Sequence, residues 1–225
     1  MRLCMFHPND HPMERGWVGR IDGDRVLHLA AQTLQSLFLG GGGAREHAEY
    51  ALADVTLLVP VQHPPTVRIF DGQESFAFAN ATAICGPGAH VRADGGPLML
   101  LPRPACVIGA EGRIGGYTLF AEWRSVGVAS PKDRDFALGL GPVLATPATL
   151  DPTPEAIVVR VGGIERLRAE LPPFDWEAAV VFAAARTALR PGDVLAGPCA
   201  GSVDSVVGPV ELDLTGIGVL AQTAA

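Results

Sequence analysis

From Trp17 to Leu29, hydrophobic and polar residues alternate on either side of Asp22-Gly23-Asp24. Alternation flanking Asp-Gly predicts a β-hairpin with strands over residues 17–21 and 25–29. Residues 34–39 read as a short helix that ends in four glycines, residues 40–43. Residues 46–52 read as another short helix, and residues 55–61 as a strand leading to Pro64-Pro65. Beyond Thr66 the apolar runs become short and are broken by Gly and Pro. The strands predicted there span residues 76–78, 106–108, 116–121, 143–146, 156–161, 193–195 and 210–214. One longer helix stands out over residues 176–188, with Asp175 as its N-cap and Arg190-Pro191-Gly192 as its stop.

Composition supports that picture. With 27 Gly and 19 Pro in 225 residues, long helices are disfavoured. Mostly strands with few helices predict a β-rich α+β roll. The pattern divides the chain into a small N-terminal α+β domain, residues 1–62, and a β-roll domain, residues 66–225. At 48% hydrophobic residues, the chain can bury a substantial core without cross-links.

Charge and cysteines narrow the function. The formal net charge is −7 and there is no Lys/Arg run, which disfavours nucleic acid and anionic membranes as partners. Cys4, Cys85, Cys106 and Cys199 form no C-x-x-C pair, so neither a zinc site nor a redox motif is indicated. The start of the chain lacks a signal-peptide apolar run, and the apolar run over residues 178–185 is too short to span a bilayer. A cytoplasmic protein is expected.

Several familiar chemistries are missing. The glycine run is followed by no Gly-Lys-Ser/Thr, so it reads as a connector rather than a phosphate loop. His7, His11, His28, His47, His63 and His90 show no H-x-x-H or H-E-x-x-H pattern. No Gly-x-Ser-x-Gly supplies a nucleophile elbow, and Ser202 and Ser205 read as loop polarity. Cys85 and Cys106 sit in apolar strand contexts and read as buried, inert thiols.

A set of landmarks does carry a resemblance. Gly86-Pro87-Gly88, Ala105-Cys106-Val107-Ile108-Gly109, Gly116-Tyr117-Thr118, Leu140-Gly141-Pro142 and Leu189-Arg190-Pro191-Gly192-Asp193-Val194 follow one another in order. In order and spacing, over about residues 55–220, they resemble the fumarylacetoacetate hydrolase family. That resemblance implies a mixed β-roll with a small N-terminal domain, usually paired as a dimer. It also implies chemistry on 2-oxo or β-diketo acids, in which Mg²⁺ or Mn²⁺ held by carboxylates stabilises an enolate.

The chemical positions implied by the resemblance are largely replaced. The metal-ligand positions read Ile69, Leu101, Arg103 and Glu122, so Glu122 is the one carboxylate retained. The family's catalytic Lys falls on Arg134. The His-x-x-Glu helix is missing, because only residues 71–76 join Phe70 to the next strand. The Thr of the late Gly-Thr-x-x-Gly motif becomes Pro198. Pro102 and Pro104, flanking Arg103, argue against a central strand there. A guanidinium roughly 5 Å from a dication costs about 7 kcal/mol at an effective dielectric of about 20. Other carboxylates that could rebuild a metal site are Asp71, Glu74, Asp94, Glu111, Asp133 and Asp135, with Asp71 best placed.

The expected site therefore contains Arg103, Glu122 and Arg134 as catalytic candidates. Arg103, Arg124, Lys132 and Arg134 are candidates for binding a small anion, since Arg grips carboxylates bidentately. Alternatively, Arg103 and Glu122 form an internal ion pair in place of the metal. No metal and no cofactor is expected. The main functional expectation is a non-catalytic partner or scaffold, either a homodimer or a hetero-oligomer with an active paralogue. The alternative is an enzyme acting on a 2-oxo or β-diketo acid by a metal-independent, arginine-assisted route.

Overall fold

The structure, a computed structural model, describes residues 1–92, 96–150 and 156–225. In chain order its first strands are β1 (Arg2–Pro8), β2 (Trp17–Asp22), β3 (Arg25–Leu29), β4 (Glu46–Ala51), β5 (Val55–Leu58), β6 (Val67–Gly72), β7 (Ser75–Ala79), β8 (Ile84–Cys85) and β9 (His90–Val91). They are followed by β10 (Leu98–Ile108), β11 (Ile114–Ser125), β12 (Leu138–Ala145), β13 (Ala156–Val161), β14 (Ile164–Glu170), β15 (Val194–Ala196), β16 (Gly208–Leu214) and β17 (Gly218–Ala224). Two α-helices accompany them among the described residues, α1 (Leu34–Leu39) and α2 (Trp176–Ala184).

The strands form two sheets. The larger runs β4-β3-β2-β1-β12-β11-β10-β15-β6-β7, with β5 on β1 and β8 on β12; the smaller runs β14-β13-β16-β17-β9. The sheets are mixed, since β15 runs parallel to β6 and β9 parallel to β17. They close on one core, in which Leu100, Leu119 and Trp123 of the larger sheet pack with Ile157, Leu212 and Leu220 of the smaller. Trp123 is fully buried, and its indole N–H donates to Gln222 Oε1 at 2.8 Å, so that core polar group is satisfied. The α+β, β-rich roll expected from the strand pattern is the architecture found.

The expected boundary between residues 62 and 66 falls in the loop between β5 and β6. Strands on both sides of it share the larger sheet, because β1 pairs with β12 through Arg2↔Ala145 and Leu3↔Leu144.

Local rules explain most elements. The hairpin of β2 and β3 turns at Gly23, whose φ of +61° is the left-handed conformation glycine supplies without strain. Thr33 caps α1 through the amide of Ser36, and Asp175 caps α2 through the amide of Ala178. The Pro191-Gly192-Asp193 turn is held by its own aspartate. One Asp193 oxygen accepts the Arg190 amide at 2.7 Å and the other accepts the Thr66 hydroxyl at 2.6 Å, fastening β15 to β6.

Four expectations are corrected. Residues 46–52 do not form a helix: residues 46–51 are the edge strand β4, paired with β3, where Glu46 and Glu49 meet Arg20 and Arg25 across the sheet. The backbone ladder with β3 overrides local helix propensity there. The strand expected over residues 55–61 ends at Leu58, ahead of Pro60. Helix α2 ends at Ala184 rather than 188, because Arg186 adopts a φ of +63°.

The fourth correction concerns the prolines. Pro102 and Pro104 lie inside β10, an 11-residue strand with neighbours on both sides. The amide of Leu100 points towards the irregular segment after β15, bonding Val203, so the missing N–H groups of Pro102 and Pro104 face the same way. That segment only donates to them: Gly197 and Ala200 give their amides to the carbonyls of Pro104 and Pro102 at 2.8 and 3.1 Å. No ladder bond is lost on the β11 side.

Candidate functional site

Strands β10 and β11 pair with Leu101 opposite Glu122 and Arg103 opposite Phe120. Residues two apart on a strand share a face, so Leu101, Arg103, Glu122 and Arg124 project to one side. Glu122 is 0% exposed and Arg103 1%. Two such groups are tolerated only if their charges and hydrogen bonds are satisfied.

Arg103 is satisfied by four oxygens. Its Nε donates to Glu122 Oε2 at 2.8 Å. Its Nη1 donates to the carbonyls of Phe70 and Gly197, each at 2.9 Å, and its Nη2 to Asp71 Oδ1 at 3.1 Å. Four elements build this cage: β10, β11, the end of β6 and the segment following β15.

The other oxygen of Glu122 is shared by two further arginines. Arg124 donates Nε to Glu122 Oε1 at 2.8 Å and approaches it with Nη2 at 2.7 Å. Arg134, in a short helical turn at residues 132–134, holds Nη1 3.8 Å from the same oxygen. Asp133 lies between them, 3.6 Å from Arg124 Nη1 and 3.6 Å from Arg134 Nε. Arg103, Arg124, Arg134, Glu122, Asp133 and Asp71 thus form one network of three cations and three anions, formally neutral.

The arginines differ in commitment. The side chains of Arg124 and Arg134 are 26% and 23% exposed, against 1% for Arg103. Arg134 Nε and Asp133 Oδ1 are buried without hydrogen-bond partners, since the pair between them is too long at 3.6 Å. Arg134 is therefore the loosest cation of the network and Arg103 the tightest.

The structure brings Arg103, Glu122, Arg124 and Arg134 together. It does not bring Lys132 in, whose ammonium pairs with Asp135 and is largely exposed. Ile69 is buried in an apolar cluster with Ala105 and Ala196, and Leu101 carries no charge. Of the alternative carboxylates, Asp71 and Asp133 join the network. Glu111 pairs with Arg113, Asp135 with Lys132, Glu74 is exposed at the β6–β7 turn, and Asp94 lies outside the described residues. Two members went unread in the sequence: the carbonyls of Phe70 and Gly197, which leave no residue-type signal. Asp133 was read as an alternative metal ligand, and the structure instead places it between Arg124 and Arg134.

A divalent ion does not fit this arrangement. Mg²⁺ and Mn²⁺ need several oxygen ligands converging on one point. Here four oxygens bond three different nitrogens of the Arg103 guanidinium, which fills the space between them. Among the described residues, no group of three or more His, Cys, Asp or Glu side chains is placed to hold a metal.

The thiols give no nucleophile. Burial pushes Cys4 up to about 12 and Cys106 higher, and Cys85 and Cys199 are also raised, chiefly by burial. A cavity of about 1120 Å³ has Pro104, Tyr117, Phe174 and Trp176 in its wall, and none of the network's side chains lines it. No described helix is long and apolar enough to cross a membrane.

Comparison with solved structures decides the architecture. The maleylpyruvate hydrolase from Sphingobium sp. SYK-6 superimposes with a TM-score of 0.80 at 22% identity, over 100% of this chain and 99% of that one. The chain has the fumarylacetoacetate-hydrolase-like fold. The 5-carboxymethyl-2-hydroxymuconate delta-isomerase from Mycobacterium smegmatis, with this fold, gives a TM-score of 0.78 at 23% identity, covering 100% and 99% of the two chains. A 2-keto-3-deoxy-D-arabinonate dehydratase complexed with magnesium and 2,5-dioxopentanoate gives 0.78 at 14%, covering 100% and 98%. The Sphingobium hydrolase has also been solved with manganese(II) and pyruvate, and that structure gives 0.80 at 21%, covering 100% and 99%. No family model and no curated protein matches the sequence. Within this fold, the chain lacks a metal-ligand cluster among its described residues and carries a buried Arg–Glu/Asp network.

Proposed function

We propose that the chain acts on a small 2-oxo or β-diketo acid by a metal-independent route that uses arginines as the electrophile. The observation that carries this reading is Arg134. It is partly exposed, is held only by contacts of 3.6 and 3.8 Å, and stands beside Arg124 on the same carboxylate. Its planar fork suits a substrate carboxylate. The outer edge of Arg124 then offers N–H donors to an oxygen that gains negative charge. Arg103 touches no substrate; its buried guanidinium fixes Glu122, which in turn fixes Arg124.

The chemistry is illustrated by oxaloacetate. The C3–C4 bond breaks, carbon dioxide leaves, and the electron pair becomes the C2–C3 double bond of an enolate. The enolate oxygen accepts hydrogen bonds from the guanidinium, and C3 then takes a proton from water. The solved proteins of this fold named above act on or bind oxo acids of related chemistry, which supports the substrate class.

The test is titration of the purified protein with oxaloacetate, pyruvate and acylpyruvates, with and without Mg²⁺. The reading expects turnover of at least one oxo acid in the presence of a chelator. Turnover that depends strictly on Mg²⁺ contradicts it.

A non-catalytic partner is the second reading, and a surface feature favours it. Exposed Phe78 on β7 and Phe182 on α2 form an apolar patch in which Phe76 bridges them. Strand β7 is also an edge of the larger sheet. An aromatic patch beside an open strand edge suits association with a second copy. On this reading, sedimentation at micromolar concentration gives a dimer and Phe78→Glu gives a monomer. Oxo-acid binding without turnover favours this second reading over the first, and a monomeric wild type removes its support.

A further inference from the structure

Four oxygens surround the Arg103 guanidinium, each bonded to one of its three nitrogens. Two carboxylate oxygens, from Glu122 and Asp71, and two backbone carbonyls, from Phe70 and Gly197, lie 2.8–3.1 Å from its nitrogens. Backbone carbonyls and carboxylates are the hard donors that Mn²⁺, Mg²⁺ and Ca²⁺ take from proteins. Carbonyl oxygens turned towards a buried point need a partner there, or they pay the cost of unsatisfied acceptors. In this chain the partner is covalently attached to β10.

We infer that Arg103 is a tethered stand-in for a divalent cation, and that removing its side chain uncovers an oxygen cage able to take up a free divalent ion. The guanidinium supplies one positive charge and uses four of its donated hydrogen bonds to satisfy what an ion and its waters would otherwise satisfy. It is also permanently charged, so the cage is filled at all ordinary pH values and in the presence of chelators. The same tether makes the wild type indifferent to divalent ions at this place, because a dication entering it would meet a buried guanidinium. The inference holds whether or not the chain turns over an oxo acid, since it concerns what fills the cage rather than what reacts beside it.

The cage limits the affinity. Glu122 keeps its second oxygen on Arg124 and near Arg134, and those cations oppose an incoming ion. Uptake in the range of tens of micromolar to millimolar is expected for Mn²⁺, not the tight binding of a dedicated site. Asp71 is 64% exposed, so it gives an open edge by which the ion and its waters enter.

The experiment uses the full chain and Arg103→Ala. Mn²⁺ uptake is followed by loss of the free-ion electron paramagnetic resonance signal, and stability by thermal melting with and without Mn²⁺. The expected result is uptake of about one Mn²⁺ per chain by the variant and none by the wild type. Saturating Mn²⁺ should raise the melting temperature of the variant by about 5 °C or more and leave the wild type unmoved. Adding Asp71→Asn to Arg103→Ala should weaken uptake about tenfold without unfolding the protein, because Asp71 is exposed. If Arg103→Ala does not fold alone, it is refolded in Mn²⁺; recovery of the fold supports the inference, and failure in both conditions overturns it. A folded variant that takes up no Mn²⁺, or one stabilised by methylguanidinium but not by Mn²⁺, also overturns it. Turnover of oxo acids plays no part in these readouts, so failure here is distinguishable from failure of the proposed activity.

Discussion

Glu122→Gln is expected to destabilise the protein by about 3–5 kcal/mol, the cost of breaking a buried ion pair by removing one partner. The reason lies in the count of groups that depend on it. Glu122 is fully buried and receives Arg103 on one oxygen and Arg124 on the other, with Arg134 at 3.8 Å. An amide keeps the shape but loses the charge, and its NH₂ group faces guanidinium donors instead of accepting from them. Arg103, which cannot lose its proton, would remain buried with Asp71 as its only carboxylate partner. Urea unfolding of wild type and variant measures the difference. A loss below about 1 kcal/mol would mean that the network adds little to stability and that the cage is not a structural centre. Asp71→Asn provides the contrast: the carboxylate is largely exposed, so its loss should cost little.

The second large effect is on activity. Arg134→Ala is expected to lower kcat/KM for the preferred oxo acid about 100-fold or more, because the substrate loses the guanidinium that grips and orients its carboxylate. Its side chain is only loosely held, so the fold should persist, and melting temperature is the control. Arg134→Lys should recover part of the binding but little of the rate, because an ammonium cannot reproduce the planar fork. If Arg134→Ala retains full kcat/KM, Arg134 is not the substrate's carboxylate partner and the proposed route loses its main support. Lys132→Ala, which removes a side chain outside the network, should leave turnover unchanged.

How much of this was legible in the sequence depended on the kind of signal. Periodicity gave the β2–β3 hairpin, α1, the start of α2 and most of the roll's strands, because each has a local rule behind it: alternation, a capping residue or a Gly-containing turn. Residues 46–51 misled because their side chains favour a helix locally, while the strand is fixed by its ladder with β3, a tertiary pairing. Strands β1, β14 and β17 carried no clear alternating pattern and are fixed by their partners. Pro102 and Pro104 looked like strand breakers because which edge of β10 needs its amides is a tertiary fact. At the site, residue identity pointed to Arg103, Glu122, Arg124 and Arg134, and the structure places all four within one network. Three carboxylates rather than Glu122 alone balance those arginines, so the network is formally neutral once Asp71 and Asp133 are included. Backbone carbonyls complete the cage, and no residue type announces them.

On the proposed route, a resident guanidinium stands in this fold where a divalent ion would otherwise act. Elemental analysis of the purified wild-type chain, paired with melting and oxo-acid assays before and after exhaustive treatment with EDTA, tests this. The expected result is far less than one divalent ion per chain, with an unchanged melting temperature and unchanged oxo-acid binding or turnover after chelation. About one tightly held Mg²⁺ or Mn²⁺ per chain, whose removal lowers stability or abolishes turnover and whose return restores it, would overturn the proposed route.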